Sequence, residues 1–157
     1  MLTGDLVSLR PATADDLPAL ARIRATPEVY RRWGVDDTEL DPRLLAIVVE
    51  GRVAGAIQWS AEEDPDYRHA GIDIYLDPAL HGRGLGTDAV RTLARHLIDV
   101  LGHHRLVIDP AADNHAAIAC YAKVGFRPVG IMRRYERGPD GTWHDGLLMD
   151  LLAGELT

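Results

Sequence analysis

The sequence predicts an α/β fold, a mixed (α+β) sheet with helices packed on its faces, and three observations carry that expectation. Short alternating or β-branched runs recur at Leu6–Arg10, Leu44–Glu50, Arg52–Ser60, Gly71–Leu76, His104–Asp109, Arg127–Glu136 and Thr142–Leu152, each bounded by turn residues. Between two of them, Leu85, Ala89, Val90, Leu93, Leu97, Val100 and Leu101 recur at helical spacing and share one broad face. That strand–helix–strand order implies a right-handed crossover between parallel strands.

The remaining elements follow in order. Thr13-x-x-Asp16 has capping-box spacing, and Leu17, Leu20, Ala21 and Ile23 give the helix behind it an apolar stripe. Pro27 restarts the chain into a short helix, Glu28–Trp33, stopped by Gly34. Val35–Arg43 is polar and reads as a loop, Glu50-Gly51 as a hairpin turn, and Ala61–His69 as an acidic connection. Asp88, Arg91, Arg95 and Asp99 are expected on the solvent side of the long helix. Asn114–Val124 is a further helix closed by Gly125, and Gly138-Pro139-Asp140-Gly141 joins the last two strands. The expected order is β-α-α-β-β-β-α-β-α-β-β.

Composition narrows the function classes. The 157 residues, 46% hydrophobic and 26% charged, suit one soluble globular domain spanning 1–157. No apolar run reaches membrane-spanning length and the N-terminus lacks a signal-peptide pattern, so no membrane partner is expected. The lone Cys120 fits a reducing cytoplasm, and mid-helix it reads as a small buried hydrophobe rather than a nucleophile. Acidic residues outnumber basic ones 24 to 17, which disfavours nucleic acid and favours a cationic small molecule. The histidines lack metal-ligand spacing, so no metal is expected. A monomer or a homodimer is compatible with this composition.

The chemistry-bearing stretch is His81-Gly82-Arg83-Gly84-Leu85-Gly86-Thr87, at the start of the long helix. Alternate glycines pack nothing but let a ligand lie against the main chain, and free N–H groups at a helix start favour an anion. The stretch lacks the lysine of a P-loop, and its third glycine comes one residue early for a dinucleotide fingerprint. A second motif follows one strand later, Asn114-His115-Ala116-Ala117-Ile118-Ala119-Cys120-Tyr121-Ala122-Lys123-Val124-Gly125-Phe126. Asn114 and Tyr121, seven residues apart, project from one helix face within about 20°.

The two motifs together resemble the GNAT N-acetyltransferases over most of the chain, roughly Leu6 to Leu152. The resemblance implies the GNAT acyl-CoA N-acyltransferase fold and acetyl-CoA as cosubstrate. It implies cofactor contacts from Ile74, Leu76, the stretch His81–Thr87 and Asn114, with the Ile74 N–H polarising the acetyl carbonyl. His81 stands where the family has glutamine or arginine.

Amine acetylation needs a deprotonated amine, a polarised carbonyl and a protonated leaving thiolate. Tyr121 is the candidate acid, since the resemblance sets its phenol near the sulfur. Asp73 is the candidate base: alternation sets it with Tyr75 on the strand face opposite Ile72, Ile74 and Leu76, where desolvation raises a carboxyl pKa. Asp109 ends the next strand and can open into the same cleft. Trp33, Gln58 and Trp59 are candidates for a flat wall with a hydrogen-bonding edge around the acceptor. Gly71-Ile72-Asp73, Ile108-Asp109-Pro110 and Asn114 resemble the aminoglycoside 6′-N-acetyltransferases, an antibiotic-resistance group whose two aspartates face the drug's amines. The expected function is thus transfer of acetyl to a cationic primary amine in a ternary complex. The alternatives are acetylation of a ribosomal-protein N-terminus, which Arg133-Arg134-Tyr135 and Trp143-His144-Asp145 suit, or an acyl-CoA sensor without catalysis.

Overall fold

Eight strands form one sheet in the order β1-β2-β3-β4-β5-β6-β8-β7 in the computed structural model, which describes residues 1–34 and 39–157. They are β1 (Leu2–Thr3), β2 (Ser8–Pro11), β3 (Leu44–Val49), β4 (Arg52–Glu62), β5 (His69–Leu76), β6 (Arg105–Ile108), β7 (Arg127–Arg137) and β8 (Trp143–Leu152). The helices are α1 (Leu17–Arg24), α2 (Pro27–Trp33), α3 (Leu85–Asp99) and α4 (His115–Val124). β5 and β6 pair in parallel across α3, and the other strand pairs are antiparallel. The mixed α/β sheet is the expected one. Val35–Thr38 of the expected loop lie outside the described residues.

Strand alternation sorts side chains to two cores. Ile57, Ile72, Val90, Leu93, Leu97, Leu106 and Val124 meet on the face covered by α3 and α4. Leu20, Ile23, Leu44, Ala56 and Tyr75 meet on the other face, under α1 and α2. Full burial of each large aliphatic side chain contributes about 1.5–3 kcal/mol, so the first core holds most of the fold's apolar stabilisation. The hairpin turn at Glu50 (φ 51°) and Gly51 (φ 76°) takes two left-handed residues, as the right-handed twist of a tight two-residue connection requires.

The start of α1 follows its sequence signal: the Thr13 N–H donates to Asp16 Oδ2 at 2.8 Å. Asp16 also accepts both guanidinium nitrogens of Arg10, at 2.7 and 2.9 Å, and hydrogen bonding from Arg10 holds its carboxyl at about 2. The N-terminal strand differs from expectation. It starts at Ser8, and the added strand β1 precedes it.

The reason is Asp88. Expected on the solvent face of α3, it is buried, and its carboxylate accepts the N–H groups of Asp5 (3.1 Å), Leu6 (2.7 Å) and Val7 (2.9 Å). Gly4 permits that approach, because a Cβ there would stand 2.5 Å from Asp88 Oδ2. Asp88→Ala leaves these donors without an acceptor, so unfolding in urea should show a loss of about 2–4 kcal/mol. Asp88→Asn, which retains one oxygen, should lose less; equal stability of the alanine variant and the wild type would remove Asp88 from this role.

Candidate active site

Pairing between β5 and β6 stops early. Only Ala70↔Leu106 and Gly71↔Val107 are in register, although β5 continues to Leu76 and β6 to Ile108. Beyond Gly71 the two strands part, and a cleft of about 930 Å³ opens through the gap. Splaying lets groups from both sheet faces meet there: Asp73 from one face of β5, Tyr121 from α4 behind the other, and Asp109 just past the end of β6. Trp33 closes one side from α2, and Tyr135 and Glu136 of β7 close the opposite side.

The carboxyl groups govern the cleft's electrostatics. Asp73 is reachable by water, yet the surrounding protein replaces enough of its hydration to push its pKa to about 6, with the charges of Asp109 and Glu136 adding to the rise. Gln58, its cross-strand neighbour, opposes the shift by hydrogen bonding. Burial also raises Asp109, while the Tyr135 phenol pulls it back. Glu136 is raised by burial and by Asp109, with His144 opposing. Among the described residues, no cation is among the groups that shift Asp73 or Asp109, although Arg31, Arg32 and Arg137 line the same cleft.

Tyr121 is 8% exposed and packs edge-on against Phe126 at 6.5 Å between ring centroids. Burial, reinforced by Cys120, Asp73 and Asp109, drives its phenol well above the ordinary value. Such a phenol stays protonated at every physiological pH, which suits a proton donor and not a base. Asn114 caps α4 by accepting the Ala117 N–H at 3.3 Å, and it lines the same cleft.

The glycine turn lies at the start of α3. Gly82 (φ 80°) and Gly84 (φ 78°) adopt the left-handed conformation that glycine tolerates without strain. A Cβ on Gly82 would meet nothing within 4 Å, so the turn is open on its outer side. No side chain caps α3, which leaves the first-turn N–H groups of Leu85, Gly86 and Thr87 free of intrahelical partners. This open, donor-lined turn fits a pyrophosphate. Gly86 serves packing: a Cβ there would crowd Leu76 Cδ1 at 3.3 Å and Cys120 Sγ at 3.5 Å. His81 Nε2 lies 3.3 Å from the Leu76 carbonyl oxygen, and Arg83 is exposed.

The expected aromatic wall divides. Trp33 lines the cleft and meets Tyr75 edge-on at 5.0 Å, with the Arg24 guanidinium 5.8 Å from each ring centroid. Trp59 is not brought to the cleft; it packs on the α3/α4 face beneath Arg43, 4.6 Å from its ring. Successive strand residues face opposite sides, so Gln58 and Trp59 cannot both face Asp73. Register decides: Gln58 opposes Asp73, and Trp59 opposes Ile72. Cys120 is half-buried with Sγ 3.1 Å from Thr87 Oγ1, and burial raises its thiol, leaving it a poor nucleophile.

Tyr135 and Glu136 were missing from the sequence-based site. Their strand is exposed and irregular, and no spacing rule links them to Asp109 across the fold.

The chain is similar to known acetyltransferases in sequence and fold. The family model described as "Acetyltransferase (GNAT) family" matches residues 8–126. The aminoglycoside N(6′)-acetyltransferase type 1 of Klebsiella pneumoniae is 39% identical over 168 aligned positions, covering 88% of this chain and 81% of that protein. The N-alpha-acetyltransferase RimI of Mycobacterium tuberculosis is 40% identical over 73 residues, 46% of this chain and 44% of that protein, so the match spans under half of RimI. Among solved structures, the aminoglycoside acetyltransferase AAC(6′)-Ib superposes with a TM-score of 0.75 at 26% identity, covering 96% of this chain and 97% of that one. With its sheet splayed between β5 and β6, a donor-lined glycine turn and a family model matching three-quarters of its length, the chain belongs to the acetyltransferase (GNAT) family.

Proposed function

We propose that this acetyltransferase uses acetyl-CoA to acetylate a primary amine of a polycationic small molecule, with an aminoglycoside 6′-amine as the leading acceptor. The observation that carries the reading is the Asp73–Asp109 pair. Two carboxyl groups share a cleft with Tyr121, and each is shifted upward, with none of the arginines that also line the cleft (Arg31, Arg32 and Arg137) among the causes. A ligand carrying two ammonium groups supplies the missing charge. The aminoglycoside relative at 39% identity supports that acceptor class.

In this reading the N–H groups of Gly82, Gly84, Leu85 and Gly86 hold the pyrophosphate, with His81, Arg83 and Thr87 flanking it. The acyl arm runs along the gap where β5 leaves β6, past Ile74, Leu76 and Asn114. Acetyl-CoA supplies the activated acyl group and a thiolate leaving group. Asp73, ionised above pH 6, takes the proton from the ammonium; the free amine attacks the carbonyl, which the Ile74 N–H polarises; Tyr121 donates its proton to the departing sulfur. Asp109 binds a second ammonium, Trp33 forms an apolar wall, and Gln58 steadies Asp73. Attack is direct, since the Cys120 thiol is held in its unreactive form.

Thiol release from acetyl-CoA, measured with a panel of kanamycin-type drugs, polyamines, monoamines and peptide N-termini, tests this. Turnover is expected with the multiply charged drugs at kcat/KM at least about tenfold above that with monoamines. Preference for peptide N-termini would assign the protein to the acceptor class that the RimI relative's name describes. Acetyl-CoA binding without release to any amine would indicate a sensor.

A further inference from the structure

One irregularity of the last hairpin bears directly on the acceptor side of the cleft. The β7–β8 register slips between Met132 and Glu136, and within the slip Arg134 takes φ 48°, left-handed backbone that a non-glycine residue rarely adopts. The conformation is held from across the hairpin, where Asp145 Oδ1 accepts the Arg134 N–H at 2.8 Å. The next residue is Tyr135, 49% exposed, which lines the cleft together with Asp109. Its ring lies over Gly146, where a Cβ would stand 3.2 Å from Tyr135 Cδ2 and 3.4 Å from Met132 Cε.

Asp145 and Gly146, with Leu147 after them on β8, also hold the segment that follows Asp109. Asp145 accepts the Ala112 N–H through its carbonyl at 2.9 Å, Gly146 bridges Ala111, and the Leu147 N–H donates to the Pro110 carbonyl at 2.9 Å. Asp145–Leu147 therefore fixes Tyr135 and Asp109 relative to each other. Tyr135 and Asp109 line the same cleft, and coupling to the Asp109 carboxyl group is the leading cause of the phenol's rise to about 12.

We infer that Tyr135 is a positioning residue for the acceptor site: a β7 bulge pinned by Asp145 aims its hydroxyl at Asp109 and orients that carboxylate for a second ammonium group of the substrate. This rests on the amine-acceptor reading for its benefit to catalysis, but the geometry of the pin does not depend on it. A regular strand through 132–136 would move Tyr135 out of this register, so the strained backbone has a stated purpose.

The test reads Asp109 first in the ligand-free protein, by carboxyl-carbon NMR titration. The titratable and charged groups that share its cleft are Asp73 of β5, Tyr135, Glu136 and Arg137 of β7, His144 of β8, Tyr121 of α4, Tyr30, Arg31 and Arg32 of α2, and Asp113 and Asp140 of the loops. Tyr135→Phe removes a donor to the carboxylate, so Asp109 should titrate about half a pH unit or more higher. Asp145→Ala should shift it the same way, and adding Arg134→Gly, which relieves the left-handed strain, should bring it back toward wild type. In kinetics, both single variants should raise KM for a diamine acceptor about tenfold while kcat and the KM for a monoamine stay within twofold. An Asp109 titration unmoved by Asp145→Ala in a variant that melts as a folded protein overturns the inference. If no amine is acetylated by the wild type, the proposed function fails, and the titration still decides the role of the pin.

Discussion

Replacing Asp73 by asparagine should lower kcat/KM for an amine acceptor about 10²- to 10³-fold, the usual contribution of a positioned general base. The pH profile carries more information than the size of the loss. The wild-type carboxyl, pushed to about 6 by desolvation and by Asp109 and Glu136, is active when ionised, so kcat/KM should rise with pH and level off above that value. In Asp73→Asn that limb disappears, and the residual rate should climb steadily with the free-amine fraction of the acceptor. The fold deficit should be largest at and below about pH 6, where both rates fall together, and should narrow above it as the free-amine fraction lifts the variant toward the level wild-type rate. Stability supplies the control. A carboxyl whose folded pKa is raised above its unfolded value of 3.8 favours the native state as pH falls from about 6 to 3.8 and burdens it above 6. Removing the charge should therefore leave the ligand-free variant at least as stable as wild type at pH 7.5, with a gain held below about 1 kcal/mol by the group's exposure to water. Lost activity together with lost stability, or a pH profile unchanged by the substitution, would take the base assignment away from Asp73.

Tyr121→Phe should reduce kcat about 10²-fold while the Kd of acetyl-CoA moves less than twofold. The substitution keeps the ring and its edge-on contact with Phe126, so the helix face and the core behind it persist. Only the hydroxyl is lost, and with it the proton for the leaving thiolate. Because burial and the neighbouring acidic groups hold the phenol protonated far above neutrality, the wild-type profile should show no basic limb from Tyr121 below about pH 9. Varying the acyl thioester gives the sharper measurement. A thioester with a low-pKa leaving thiol needs little protonation, so the difference between Tyr121→Phe and wild type should narrow with it. A difference independent of the leaving group would move Tyr121 from proton donor to a packing role.

The helices and strands were legible because their signals are local. Thr13 and Asp16 form the capping contact their spacing implies, and Asn114 caps α4. Ile72 and Asp73 fall on opposite faces of β5, as period-two alternation requires. Asp73 and Asp109 were legible as candidates for a related reason: one interrupts and the other ends an element whose start and stop are marked in the chain. Asp88 was misread because helical periodicity ranks positions by hydropathy, and nothing in it registers three backbone donors arriving from residues 5–7. Trp59 was misread because its parity relative to Asp73 depends on strand register, which a run of residues does not contain.

What the sequence determined alone is the glycine turn and the α4 face beside it: Gly82, Gly84 and Gly86 before an amphipathic helix, followed by Asn114 and Tyr121, are set by local backbone freedom and helix geometry. Tertiary structure decided the carboxyl-lined cleft. Parting of β5 from β6 after Gly71, the raised carboxyl groups of Asp73 and Asp109, and the entry of Tyr135 through a bulge in β7 all depend on which strands lie side by side. Desolvation and charge coupling fall off over a few ångströms in space, and residues such as Asp73 and Tyr135 are 62 positions apart along the chain, so only the folded arrangement brings those interactions into being.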